Sequence, residues 1–143
     1  MANNNKLNHW SLALLRVYLG VMFVMHGYVK LFVTGTLPAT ATFFSQVGIP
    51  ASNVAAVVVA FAEFVGGVLL VLGLFTRLAS FALLVEMLVA FFKIHLKAGF
   101  FISQTAYGYE FILLVIAVLL VLLINGPGNI SIGKKLFKNA KWH

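Results

Sequence analysis

The sequence predicts an all-α integral membrane protein: a bundle of four transmembrane helices with both termini cytoplasmic. Composition is the first reason. Of 143 residues, 62% are hydrophobic and only 9% charged, with a mean hydropathy of +1.05, far from the averages of soluble domains. The second is that the apolar residues fall into four runs separated by turn residues. The third is the placement of Glu63, Glu86 and Glu110, the chain's acidic residues, which lie inside or at the edge of those runs rather than in solvated loops. A water-facing skin of mixed charge is missing.

The first span is expected over residues 10–33, long enough at about 1.5 Å per residue to cross a hydrocarbon core of about 30 Å. The polar stretch before it carries no small-residue cleavage pattern, so the span reads as a retained helix. Thr34, Gly35, Thr36, Leu37 and Pro38 break the run, and residues 40–47 form a short interfacial helix bearing Phe43 and Phe44. The second span covers residues 53–75, with Ser52 or Asn53 as its cap and its end near Gly73. The tight turn at Thr76 and Arg77 makes the third span, residues 78–96, its antiparallel neighbour. A connector over residues 97–106 leads to the fourth span, residues 107–125, which Gly126-Pro127-Gly128 stops. Residues 129–143 form a basic tail in which Ile132, Leu136 and Ala140 recur at helical spacing. The whole chain, 1–143, is one domain.

Lys6, Arg77, Lys134, Lys135, Lys138 and Lys141 share one side of a four-span arrangement, with Lys30, Lys93 and Lys97 toward the other. This distribution puts both termini in the cytoplasm. The net charge of +7 accordingly points to anionic lipid and not to nucleic acid, for which no recognition motif is present. With no cysteine, disulfides, thiol redox chemistry, iron–sulfur ligation and thiolate metal sites within this chain are excluded.

Ionisable groups inside a bilayer are costly, about 2.5 to 3.5 kcal/mol each on insertion scales, and are paired, hydrated or functional. By residue counting, Arg16 lies about 9 Å, Glu86 about 12 Å and Glu63 about 15 Å from the inner boundary. Arginine's reach makes a pair with either carboxylate feasible. Such pairs serve either as helix locks or as a proton or ligand site. A denser group lies toward the outer boundary: His26, Lys30, Lys93, His95, Tyr107, Tyr109 and Glu110. His26 and Lys30 share a face of the first helix. On a continuous third helix Glu86 and Lys93 point the same way and Glu86 and His95 oppositely, an objection that weakens if the helix ends before His95. Lys93 and Lys97 are expected to snorkel. Gly20 and Gly27 on one helix, and Gly66 and Gly67 beside Glu63 on another, let helices approach closely. Phe91, Phe92, Phe100 and Phe101 suit an interfacial belt or a flat, quinone-type ligand. No dinucleotide fingerprint, phosphate loop, metalloprotease helix or serine elbow is present, and two histidines on separate helices are too few to predict a metal or haem.

Several segments, taken in order, form a recognisable pattern. Leu15-Arg16-Val17-Tyr18-Leu19-Gly20 and His26-Gly27-Tyr28-Val29-Lys30-Leu31 resemble the opening helix of the DoxX family of small bacterial and archaeal membrane proteins. Glu63-Phe64-Val65-Gly66-Gly67-Val68-Leu69-Leu70, with Leu72-Gly73-Leu74-Phe75-Thr76-Arg77, resembles its second-helix signature. His95, Gly99-Phe100-Phe101, Glu110 and Gly126-Pro127-Gly128 resemble its later landmarks. The resemblance implies a four-helix bundle in a bacterial or archaeal plasma membrane, related to the DoxD-type subunit of thiosulfate:quinone oxidoreductase and to subunits of membrane redox complexes. It singles out Arg16, His26, Lys30, Glu63, Arg77, His95 and Glu110. The partly extracytoplasmic second subunit of the thiosulfate-oxidising assembly has no counterpart fused here, which argues against thiosulfate chemistry by this chain alone.

The leading functional expectation is a subunit of a quinone-linked oxidoreductase or respiratory complex, with a polar site near the outer face. His26, Lys30 and Arg16 would bind the quinone, and Glu63, Glu110 and His95 would move protons. No electron carrier is encoded, so partner subunits are expected to supply electrons. The competing expectations are a structural or assembly subunit, in which the charges lock helices within a larger complex or homo-oligomer, and a small transporter or proton pathway through Glu63 and Glu86. The transporter reading lacks inverted repeats and broken spans.

Overall fold

A computed structural model describes residues 2–102 and 108–136, with side chains left aside for residues 2–9, 134 and 135. Six α-helices are present among them, and no strand: α1 (Ala2–Phe32), α2 (Thr36–Gln46), α3 (Ser52–Leu72), α4 (Thr76–Ala90), α5 (Glu110–Asn125) and α6 (Ile132–Leu136). Three stretches are long and apolar enough to cross a membrane: Trp10–Phe32, Ser52–Leu72 and Thr76–Ala98. The fourth apolar helix, α5, has 16 residues. Leu19 and Phe23 of α1, Leu70 of α3, Leu83 of α4 and Leu119 of α5 meet in one core, so all four helices pack together.

The distribution of side chains is inside out relative to a soluble protein. Leu14 is 72% exposed and Ile124 69%, whereas Arg16 is 3% and Glu63 4% exposed. Lipid is the solvent that favours this arrangement: apolar side chains cover the outside, and polar groups must be satisfied internally.

Helix boundaries follow local chemistry, with three departures from the sequence-based expectation. The interfacial helix α2 begins at Thr36, ahead of Pro38, because proline's missing N–H is no loss in a first helical turn. Helix α3 begins after Ala51 in the left-handed conformation, with no side-chain cap from Ser52 or Asn53. The third span is not regular throughout: α4 stops at Ala90 and continues as a π turn, Phe91–His95, and a 3-10 turn, Leu96–Ala98. Tyr107, residues 103–106 and the tail positions Lys138, Ala140 and Lys141 lie outside the described residues.

The end of α3 matches its glycine signal. Gly73 adopts φ 68°; its N–H donates to Leu70 O at 3.1 Å, and Leu74 N–H donates to Leu69 O at 2.9 Å. These two bonds satisfy the last carbonyls of α3 in a Schellman arrangement.

Helices α1 and α3 make the most intimate contact in the fold. Ala13, Arg16, Gly20, Phe23 and Gly27 are buried along one stripe of α1, spaced by three or four residues as a helical face requires. A Cβ at Gly27 would lie 2.4 Å from Phe64 N, one at Gly20 2.8 Å from Gly67 O, and one at Gly67 2.6 Å from Val24 N. Here backbone lies directly against backbone. At Gly66 the nearest atoms belong to the Leu83 side chain of α4, at 3.3 Å, so the adjacent glycines serve different neighbours.

Replacing Gly27 by alanine is expected to lower stability by about 1–3 kcal/mol, the usual cost of overpacking. Gly66→Ala is expected to cost much less, because Leu83 can shift its rotamer. Unfolding midpoints in mixed micelles, measured for both variants, check this order.

Candidate functional site

The close approach of α1 to α3 brings two in-membrane charges together. Lys30, last on the buried stripe of α1, donates from Nζ to Glu63 Oε2 on α3, forming the one ion pair among the described residues. Their side chains are 18% and 5% exposed, so the pair is largely removed from solvent. Glu86, from α4, places its carboxyl close enough to Glu63 to interact with it electrostatically. The site thus gathers one ammonium and two carboxyl groups from three helices. Glu86 Oε2 is buried with no hydrogen-bond partner.

Glu86 also lines a cavity of about 390 Å³ between α2, α3 and α4, with Phe44, Ile49, Val59, Ala62 and Ala82 among its walls. It is the sole ionisable residue of that lining. Val58, Val85 and Val89 line the cavity too, and all three are exposed on the outside of the helices. The cavity therefore opens sideways, toward the hydrocarbon.

Arg16 meets neither carboxylate. Its Nη1 donates to Leu70 O at 2.6 Å and Val71 O at 3.0 Å, and its Nη2 to Ile130 O at 2.8 Å. The guanidinium occupies the space that a side chain at Gly73 would fill: a Cβ there would lie 2.4 Å from Nη1. The carbonyl end of a helix carries partial negative charge, and a planar cation with five donors can serve several carbonyls at once. Arg77 behaves alike, donating from Nη2 to Ile124 O at the end of α5, at 3.0 Å. Each arginine closes the C-terminal end of a neighbouring helix.

The other predicted residues divide between two places. Glu110, in the first turn of α5, accepts from Ile102 N–H at 2.8 Å, while its own N–H donates to Phe100 O at 3.0 Å. This carboxylate fixes the connector at a helix N-terminus, where negative charge is favoured. Tyr109 packs its ring against both Phe91 and Phe100, and Lys93 Nζ donates to Gly48 O at 3.3 Å. Lys97 is exposed in the 3-10 turn. His26 and His95 line one cleft of about 220 Å³ together with Met22 and Met87. Glu86 and His95 line different cavities, so the π turn between them does not bring the two residues to one site.

Lys30 thus belongs with Glu63 and Glu86, and the outer cluster expected from sequence separates into a carboxyl–ammonium group, a histidine-lined cleft and a connector clamp. The residue-counting argument found Glu86. The two methionines had no signal beyond their apolar character.

Membrane-length helices that hold their ionisable groups inside and their apolar side chains outside define a multi-helix membrane protein. The chain belongs to the DoxX family, whose profile matches residues 11–96. An uncharacterised protein of Haemophilus influenzae is 37% identical over 140 residues, covering 96% of this chain and 99% of that protein. A Bacillus subtilis protein named "Putative oxidoreductase CatD" is 30% identical, covering 96% of this chain and 95% of its own length. An uncharacterised membrane protein of Mycobacterium tuberculosis is 31% identical, covering 91% and 83%. No solved structure matches the chain.

Removing one member of a buried ion pair typically costs about 3–5 kcal/mol, whereas replacing both members by apolar groups is often nearly neutral. Lys30→Met is therefore expected to be strongly destabilising, and Lys30→Met combined with Glu63→Leu to recover most of that loss. A double-mutant cycle on unfolding free energies measures the coupling.

Proposed function

We propose that this protein is a quinone-linked oxidoreductase subunit of a bacterial plasma membrane, with the headgroup site in the cavity faced by Glu86. One observation carries the reading. An apolar cavity large enough for a ring-shaped headgroup has a single ionisable group in its wall, and that group is backed by a second carboxyl and an ammonium. The orphaned Glu86 Oε2 is a polar atom awaiting a partner, and such atoms in buried positions call for an explanation. The sideways opening suits a ligand dissolved in the bilayer.

A bound quinone supplies two-electron, two-proton carrier chemistry. The chain's own residues would do the rest. Glu86, protonated, donates a hydrogen bond to a carbonyl oxygen in the cavity; Glu63 exchanges the proton with Glu86; Lys30 holds the charge of the remaining carboxylate. Phe44, Ile49 and Val59 exclude water and grip the ring. Electrons come from a partner subunit. The name carried by the Bacillus subtilis relative agrees with an oxidoreductase role. In this reading α5 is the fourth crossing, tilted or set in a thinned region because of its length, and both termini face the cytoplasm, as the lysine and arginine distribution predicts.

A second reading, an assembly subunit of a larger membrane complex, takes its support from Arg16 and Arg77. Both donate to carbonyls at helix ends, a structural use.

Titration of the purified protein with a short-chain ubiquinone tests the first reading. Glu86→Leu and Ala62→Phe, which change the cavity wall, are each expected to weaken binding at least tenfold, while Glu110→Gln leaves it within twofold. Unchanged binding in both cavity variants would refute the assignment of the site.

A further inference from the structure

The second cleft carries chemistry that the quinone reading does not use. It lies between α1, the π turn that continues α4, and α5, and its lining includes two imidazoles and two thioethers: His26, His95, Met22 and Met87. Phe111, Ile112 and Val115 supply apolar walls. We propose that Met22, His26, Met87 and His95 form a binding site for Cu(I).

The backbone is arranged to gather these four residues. Met22 and His26 are four positions apart on α1 and therefore share a face. On a regular α-helix, at about 3.6 residues per turn, His95 would lie roughly a quarter-turn past Met87. The π turn at Phe91–His95 winds more slowly and carries His95 back toward the Met87 face. Irregular turns of this kind recur at functional sites.

His26 has a tautomer that a metal ligand can use. Its Nδ1 lies 2.8 Å from Met22 O. A carbonyl can only accept, so Nδ1 carries the proton and the lone pair of the neutral ring resides on Nε2. Metal-bound histidines show this habit, one nitrogen donating to a backbone carbonyl and the other left for the metal.

The donor set selects the ion. Thioethers are soft ligands and favour Cu(I), while carboxylate and thiolate, the usual companions of imidazole around zinc, are missing from this lining. All four donors are neutral, and the surroundings are apolar. The cost of burying an ion rises steeply with its charge, so a monovalent cation is favoured over a divalent one. At about 220 Å³ the cleft admits an ion and is far too small for a porphyrin.

Cu(I) delivered from its bicinchoninate complex to the full-length protein in detergent tests the site. One ion per chain is expected, undisturbed by a tenfold excess of Zn(II). Met22→Leu combined with Met87→Leu nearly conserves volume, so the fold should persist; together they should weaken Cu(I) binding at least tenfold, as should His26→Gln. Met25→Leu, which alters an exposed residue outside the cleft lining, should leave it unchanged. Because the sequence contains no cysteine, a copper–sulfur shell in the X-ray absorption spectrum would come from methionine. No Cu(I) uptake, a shell of nitrogen and oxygen alone, or undiminished affinity in the double methionine variant would overturn the proposal.

Discussion

The backbone contact between α1 and α3 governs the rest of the molecule. Lipid tails are as apolar as leucine, so no hydrophobic force drives helices together inside a bilayer; close packing and polar contacts must do so. Gly20, Gly27 and Gly67 allow a separation that any side chain would prevent. At that separation Lys30 faces Glu63 directly, and Arg16 reaches the last turn of α3. A wider spacing would leave one carboxylate, one ammonium and a guanidinium without partners in the most costly surroundings available to them.

Within that frame the charged residues are satisfied by different means. The arginines turn to helix ends, where carbonyls left over by the helical pattern would otherwise lie unbonded. Lysine, a compact point charge, goes to carboxylates. Glu110 is bound to a backbone N–H at the start of α5. Glu86 keeps a buried oxygen without a partner, as do Thr76 and Ser80, and of these three it is the one that faces the cavity. This separates the mid-depth carboxyls, where chemistry is proposed, from the arginine contacts, which are structural.

Much of the fold was legible because bilayer constraints leave strong marks on composition. The apolar runs, the glycine stop at Gly73, the tight α3–α4 turn and the close-packing glycines could all be read from periodicity and residue type. The site was less legible. Residue counting gives depth but not azimuth across helices, so it left a pair of Arg16 with either carboxylate feasible, whereas its partners include carbonyls at the end of α3. Lys30 was grouped with His26 by spacing along α1, yet its long side chain follows the glycine stripe to Glu63. The π turn has no proline or glycine to announce it, and His95 could be placed only with that turn in view. Met22 and Met87 read as core filler, which methionine usually is.

The exposed valines at the mouth of the Glu86 cavity have a further consequence. A cavity bounded by lipid-facing side chains samples the hydrocarbon phase, so its occupancy follows the mole fraction of ligand among the lipids and not its concentration in water. Adding lipid at constant total ligand dilutes the ligand and empties the cavity, even if the protein is unchanged. Affinities for such a site are properties of the membrane as well as of the chain, and they compare only at a fixed ratio of ligand to lipid.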